Sequence, residues 1–299
     1  MFDILLSFIF IILLGYLAKD KIFKKEDKEI FSKFVFNFSL PSLVFSSLYT
    51  NSIQGSFWKI IIGVWIIGII VSILALIIGK FLKLPNPTLG SFFLISFCGN
   101  VTYMGYPIIE KVFNSEGLIY GIIYDQLGLI PMIYTYGIII LQLLTMGNKI
   151  DFKLALKRLL VNPPLWGLVL ALTLRNISIP SYIIDATKTL GRVTSPMMMF
   201  LLGLSLEKSS KNSHYLALFV GIAFKLLFLP YIANQVNHLL GIGGIGGKVM
   251  ILQSAMPAML LTLVLSIQYG LDYTFSSQAI FYSTLLSIVT LNFWIGVIK

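Results

Sequence analysis

Cys98-Gly99-Asn100-Val101-Thr102-Tyr103-Met104-Gly105-Tyr106-Pro107 sits inside an otherwise apolar run from about Leu89 to Ile109. Two glycines, an asparagine and a proline so close together interrupt a helix, and this interruption falls at membrane depth. Freed backbone groups find no water in lipid, so irregular backbone is tolerated there only where protein or a wet cavity meets it. The stretch therefore predicts a buried break with a purpose.

Composition sets the surroundings of that break. Of 299 residues, 57% are hydrophobic and 11% are charged, against roughly 25% charged in soluble domains. The chain reads as an all-α polytopic membrane protein. At about 20 residues per span it accommodates roughly ten transmembrane helices and no sizeable soluble domain. Cys98 is a single cysteine, so there is no disulfide framework, and no cysteines or histidines stand at metal-ligand spacing. No cofactor or metal is expected, and no Ser, His and Asp arrangement suggests an enzyme. The net charge of +10 is carried by lysines and arginines spread over loops between apolar spans. That pattern marks topology and not a nucleic-acid surface.

In chain order, Ile4 to Ala18 forms a first span preceded by no basic residue, expected to be retained rather than cleaved as a signal. A loop over 19–33 carries Lys19, Lys21, Lys24, Lys25, Lys28 and Lys33. Span two, about 34 to 50, holds Pro41; span three runs from about Phe57 to Gly79, and span four is the broken one. After Glu110 to Glu116, span five runs from Gly117 to about Met146 and holds Asp125, Gln126 and Pro131. Lys149, Lys153, Lys157 and Arg158 then lead to Asn162-Pro163-Pro164, where proline starts a helix without losing a bond. Span six is Leu165 to Leu174, and span seven, about Thr187 to Leu206, carries Pro196. Span eight, Tyr215 to about Asn237, carries Lys225 and Pro230; span nine, Lys248 to Tyr269, holds Gln253, Ser254 and Pro257; span ten is about Thr274 to Ile298.

Loops on one side of this arrangement hold fourteen lysines and arginines, and those on the other hold seven. The positive-inside rule then places both termini outside a cell membrane. Pro107 follows Pro41 by 66 residues and Pro257 follows Pro196 by 61, which suggests two copies of one half. With five spans each, the second copy is inverted: residues 1–146 and 162–299, joined by a cytoplasmic loop over 147–161. Spans four and nine become partners, and a pair of Gly/Pro-interrupted spans is the best sequence pointer to a transporter binding site.

Pro107 and Pro257 each lack a backbone N–H and crowd the preceding turn, so each is expected to split its helix. If the two breaks cross, helix N-termini converge, and their partial positive charge suits a carboxylate. Asn100, Thr102, Tyr103, Gly105 and Pro107 at the first break, and Gln253, Ser254 and Pro257 at the second, are the candidate substrate-binding residues. Asn100 also has a structural reading, as a group that satisfies the freed backbone, and the two roles can coexist. Asp125 lies inside a span, where an acid is a functional candidate by default; with Gln126 it reads as a proton- or cation-coupling site, or as half of a structural pair. Lys225 either snorkels to an interface or meets substrate or Asp125. The Gly241 to Gly247 run ends in Lys248-Val249, without the Ser or Thr of a phosphate cradle.

The sequence resembles the auxin efflux carrier family of membrane transporters, which includes bacterial permeases for small organic acids. Carrying the likeness are Asn100-Val-Thr-Tyr-Met104-Gly105-Tyr-Pro107, Arg158-Leu-Leu-Val-Asn162-Pro163, Pro196-Met-Met-Met-Phe200-Leu-Leu-Gly203-Leu-Ser-Leu, and Ala255-Met-Pro257-Ala-Met followed by Tyr269-Gly-Leu-Asp272. The resemblance implies a ten-helix, five-plus-five inverted repeat divided into a scaffold of helices 1, 2, 6 and 7 and a transport domain of helices 3 to 5 and 8 to 10. It also implies a homodimer, an elevator movement and an organic anion held where helices 4 and 9 cross. The long loop of plant members is replaced here by about 15 residues, and Asn162-Pro163-Pro164 replaces a longer polar motif, so auxin itself is not implied. The nearest alternative is a sodium-coupled transporter similar to the bile-acid symporters; a channel or a sensor without coupled flux stands further off.

Overall fold

The computed structural model describes residues 2–51, 57–145, 152–206 and 214–298. The expected boundary between the halves at 146, and Lys149, lie outside them. Every named element among the described residues is helical.

Helix α1 is Phe2–Ala18, and α2 runs Lys25–Phe34, then through a π-helical turn Val35–Ser39 into Leu40–Thr50. Helix α3 is Phe57–Phe81 and α4 is Asn86–Phe97. The run Val101–Thr145 that follows is not one straight rod. Thr102 Oγ1 donates to Asp125 Oδ2 at 2.7 Å across 23 residues, a separation that a straight helix would stretch to about 35 Å. The chain turns back at Asn114, whose φ of 57° and ψ of −160° are non-helical. We therefore treat 101–113 as α5 and 115–145 as α6, a hairpin. Helix α7 is Phe152–Leu160, α8 Pro163–Thr173, α9 Ser181–Arg192 and α10 Thr194–Ser205. Helix α11 is Tyr215–Leu240, followed by α12 Gly244–Ser254, α13 Leu260–Gln268 and α14 Tyr273–Ile298.

Among the described residues, four helical runs are long and apolar enough to cross a membrane: Phe57–Phe81, Val101–Thr145, Tyr215–Leu240 and Tyr273–Ile298. Leu6–Ala18 and Pro163–Thr173 are shorter apolar helices. Apolar side chains face outward all round, Phe10, Phe219 and Val289 among them, while serines, threonines, Asp125 and Lys225 are buried inside. That distribution is the reverse of a water-soluble domain and suits a lipid surround.

Prolines explain where the helices bend and where they do not. Pro41, Pro107, Pro131 and Pro230 each follow a π-helical turn, at Val35–Ser39, Val101–Gly105, Tyr124–Leu129 and Phe224–Phe228. A proline inside a helix has no N–H to give and its ring presses on the carbonyl four residues back. Widening that turn to the π spacing makes room for the ring. The expectation that Pro107 splits its helix is therefore corrected: Pro107 is absorbed, and the break lies earlier, at Cys98–Asn100, between α4 and the turn at Val101. Pro257 does lie in a break, the stretch 255–259 between α12 and α13. Pro196 sits in the first turn of α10, so the four prolines whose spacing suggested a repeat do not share one conformation.

Packing crosses between the two ends of the chain. Helix α1 packs most extensively on α10, and the Leu40–Thr50 part of α2 packs on α8 and α9. The α1–α10 contact is close because Gly203 has no side chain: a Cβ there would overlap the Ile12 carbonyl. Elsewhere α4 lies on α3, and α12 lies on α11 and on the α5–α6 hairpin.

Candidate functional site

The two breaks lie against each other. Gly99 and Ala258 pair as an antiparallel bridge; the Asn100 N–H donates to the Pro257 carbonyl at 2.7 Å and the Met259 N–H donates to the Cys98 carbonyl at 3.0 Å. From α14, Ser283 Oγ accepts the Ala258 N–H at 3.1 Å. The Asn100 carbonyl accepts from Met104 and Gly105 in the first turn of α5. Each break thus supplies much of what the other lacks in backbone hydrogen bonds, and irregular chain is kept out of lipid.

Charges flank the crossing according to helix polarity. Asp125, fully buried on α6, stands beside the first turn of α5. Its Oδ2 accepts from Thr102 Oγ1 at 2.7 Å, Tyr106 OH at 2.8 Å and Gln126 Nε2 at 3.0 Å, while Oδ1 has no partner. On the other side Lys225, buried on α11, donates from Nζ to the carbonyl of Ser254, the last residue of α12, at 2.8 Å. An anion near a helix N-terminus and a cation at a C-terminus are the favourable placements. Lys225 is thus neither a snorkelling side chain nor the hydrogen-bond partner of Asp125.

A cavity of about 310 Å³ opens beside the crossing. Of the residues singled out in the sequence, Asn100, Thr102, Tyr103 and Gln126 line it. Gly105, Pro107, Gln253, Ser254, Pro257, Asp125 and Lys225 do not, and stand behind its wall. Gln253 is fully buried, donates to the Gly121 carbonyl at 3.3 Å, and occupies space left by Gly105, where a Cβ would overlap Gln253 Oε1. Gln253 therefore joins α12 to the α5–α6 hairpin.

The opposite wall comes from residues not picked out as a site: Lys28 and Ser32 on α2, Asn162 before α8, and Ser205 on α10. Met259, the cap residue of α13, and its first residues Leu260 and Leu261 complete it. In the sequence Asn162 stood out at the start of an apolar span and in the family likeness, but not as a site residue. Three amides in the wall carry buried atoms without a hydrogen-bond partner: Asn100 Nδ2, Gln126 Oε1 and Asn162 Oδ1. Among the described residues, no group of three or more His, Cys, Asp or Glu is placed to hold a metal ion.

Paired helix breaks beside a cavity lined by polar and apolar side chains together, inside a body whose outer face is apolar, define the class: a multi-pass membrane transport protein. Comparison with known proteins gives the family. A membrane transport protein family model matches residues 1–295. An uncharacterized transporter of Methanocaldococcus jannaschii is 30% identical over 306 residues, covering 98% of this chain and 97% of the relative. One from Methanothermobacter thermautotrophicus is 30% identical over 300 residues, covering 98% and 96%. The chain belongs to this membrane transport protein family, that of the auxin efflux carriers.

Proposed function

We propose that the protein is a secondary transporter of small organic anions, mono- or dicarboxylates, held against the crossing of the two broken helices. The observation that carries this reading is Asn100 Nδ2. It is a buried donor without a partner, in the wall of a cavity whose one charged lining side chain among the described residues is that of Lys28. A carboxylate accepts from neutral amide donors and helix N-termini without needing a full counter-ion.

In this reading α1, α2, α3, α4–α5 and α6 are the five spans of one half, and α8, α9–α10, α11, α12–α13 and α14 those of an inverted second half. The order of the elements supports it, and so do the contacts: span one on seven and span two on six exchange under a twofold that also swaps the breaks. The cavity lies between helices of the expected scaffold (α2, α8, α10) and of the expected transport domain (α5, α6, α13). An elevator movement of one group past the other, in a homodimer, opens it alternately to either face. With both termini outside, Lys28 marks the cytoplasmic mouth. Asp125 is the coupling site in this scheme.

The test is a thermal-shift and binding screen of purified protein against carboxylates across pH and sodium concentration. Saturable stabilisation by carboxylates is expected; no carboxylate binding under any condition overturns the reading. Binding that requires sodium replaces the proton with sodium as the coupling ion.

A further inference from the structure

The cavity's unpartnered atoms are of two kinds, and only one is met by a carboxylate. Asn100 Nδ2, Gln126 Oε1 and Asn162 Oδ1 are the atoms in question. The Asn100 and Asn162 amides, held by no side-chain hydrogen bond among the described residues, can turn either end to a ligand, whereas Gln126 is held and its unpartnered atom is an acceptor. These three residues are at most 4% exposed and all line the cavity. A bare carboxylate can complete the Asn100 and Asn162 amides and leaves the Gln126 oxygen unmet. Which way the Gln126 amide faces is set by its neighbour: Nε2 lies 3.0 Å from Asp125 Oδ2. The flipped amide would set two acceptor oxygens against each other, so the acceptor is the end left over.

We propose that Gln126 is a specificity-determining residue that selects carboxylates bearing a hydrogen-bond donor, a hydroxyl or an amino group, on a carbon near the carboxylate. This rests on the carboxylate reading of the site and narrows it. The carboxylate takes the donor side at Asn100 and the helix ends, and the substrate's O–H or N–H donates to Gln126 Oε1. Asp125 is the positioning residue: while it is ionised, it holds the amide with its oxygen available. A site whose buried polar groups are built to bond a substrate hydroxyl rejects the analogue lacking it, because those groups are then left unpaired.

The experiment measures binding of matched pairs to the detergent-purified full chain: lactate against propionate, malate against succinate, and alanine against propionate. Wild-type protein is expected to favour the donor-bearing member of at least one pair by about tenfold or more. In Gln126→Met, which keeps the side-chain volume, that ratio is expected to fall towards one. Asp125→Asn, which lets the Gln126 amide turn either way, is expected to lower it as well. Equal or tighter wild-type binding of the unsubstituted acids overturns the proposal while leaving the carboxylate site standing. An unchanged ratio in Gln126→Met overturns the role of Gln126. If no acid of either kind binds, the carboxylate reading falls and this proposal falls with it. Where Gln126→Met fails to fold, the wild-type ratio still tests the preference for a donor-bearing acid, and Asp125→Asn tests the hold on the Gln126 amide.

Discussion

Replacing Asn100 by alanine separates binding from stability in a way the structure specifies. The backbone of Asn100 builds the crossing, through its N–H on Pro257 and its carbonyl on Met104 and Gly105, and alanine keeps all of these. Its φ of −75° and ψ of 57° are close to an inverse γ-turn, which alanine adopts without strain. The side chain is different, since its Nδ2 is buried with no partner. Deleting an unsatisfied buried donor removes a destabilising group, and the small loss of packing opposes that gain. The net change in stability is expected within about 1 kcal/mol, a shift of no more than about 4 °C in a chain of this size. Loss of a hydrogen bond to a charged ligand group costs about 1.5–3 kcal/mol, which is roughly a 10- to 150-fold weaker Kd. Scanning fluorimetry of the apo protein and calorimetric titration with a carboxylate found in the screen measure the two quantities. Unchanged affinity refutes the proposed role of Asn100. A large fall in melting temperature refutes the claim that its side chain is idle in the apo fold.

Two further substitutions probe the neighbouring layers. Asp125→Asn, made in reconstituted vesicles, is expected to abolish the response of uptake to an imposed pH gradient; a full response in the variant rules out Asp125 as the coupling site. Gly203→Leu is expected to overpack the α1–α10 contact, where a Cβ already overlaps the Ile12 carbonyl. The cost is about 1–3 kcal/mol, seen as a lower melting temperature, whereas Gly243→Ala, with open space around its Cβ, serves as the unperturbed control; equal melting temperatures in the two variants refute the close approach.

How much of this was legible in the sequence differed from layer to layer. Two glycines and an asparagine in an apolar span announced the first break, and polar Glu110 to Glu116 announced the turn into the next helix. The position of the break was misread because Pro107 looked like its cause. Proline breaks a helix of fixed pitch, but a preceding π-helical turn absorbs it, and no residue type in Val101–Gly105 signals that widening. Asn162 and Lys28 were invisible as site residues for another reason. They reach the cavity only because helices distant in the chain pack against one another, and nothing local records that packing.

The crossing gives a physical argument for an anion that does not depend on family. Four half-helices end there, and each end carries part of a dipole that needs an opposite charge. Asp125 answers the N-terminus of α5 through Thr102. Lys225 answers the C-terminus of α12 at Ser254 and also lies close to Gly99, just past the end of α4. The N-terminus of α13 is the end left over. It opens Leu260-Leu261 with Met259 as its cap residue and no side-chain cap, and the Thr262 hydroxyl donates to the Met259 carbonyl, so its oxygen is turned to the chain and not to a ligand. That terminus borders the cavity, beside the unpartnered Asn100 Nδ2. Positive potential without a protein counter-charge, inside a low-dielectric body, favours occupation by an anion over water and disfavours a free cation at the same point. In the proposed scheme a coupling cation would belong on the Asp125 side of the wall, and substrate and ion would meet the α5–α6 hairpin from opposite faces with Gln126 between them.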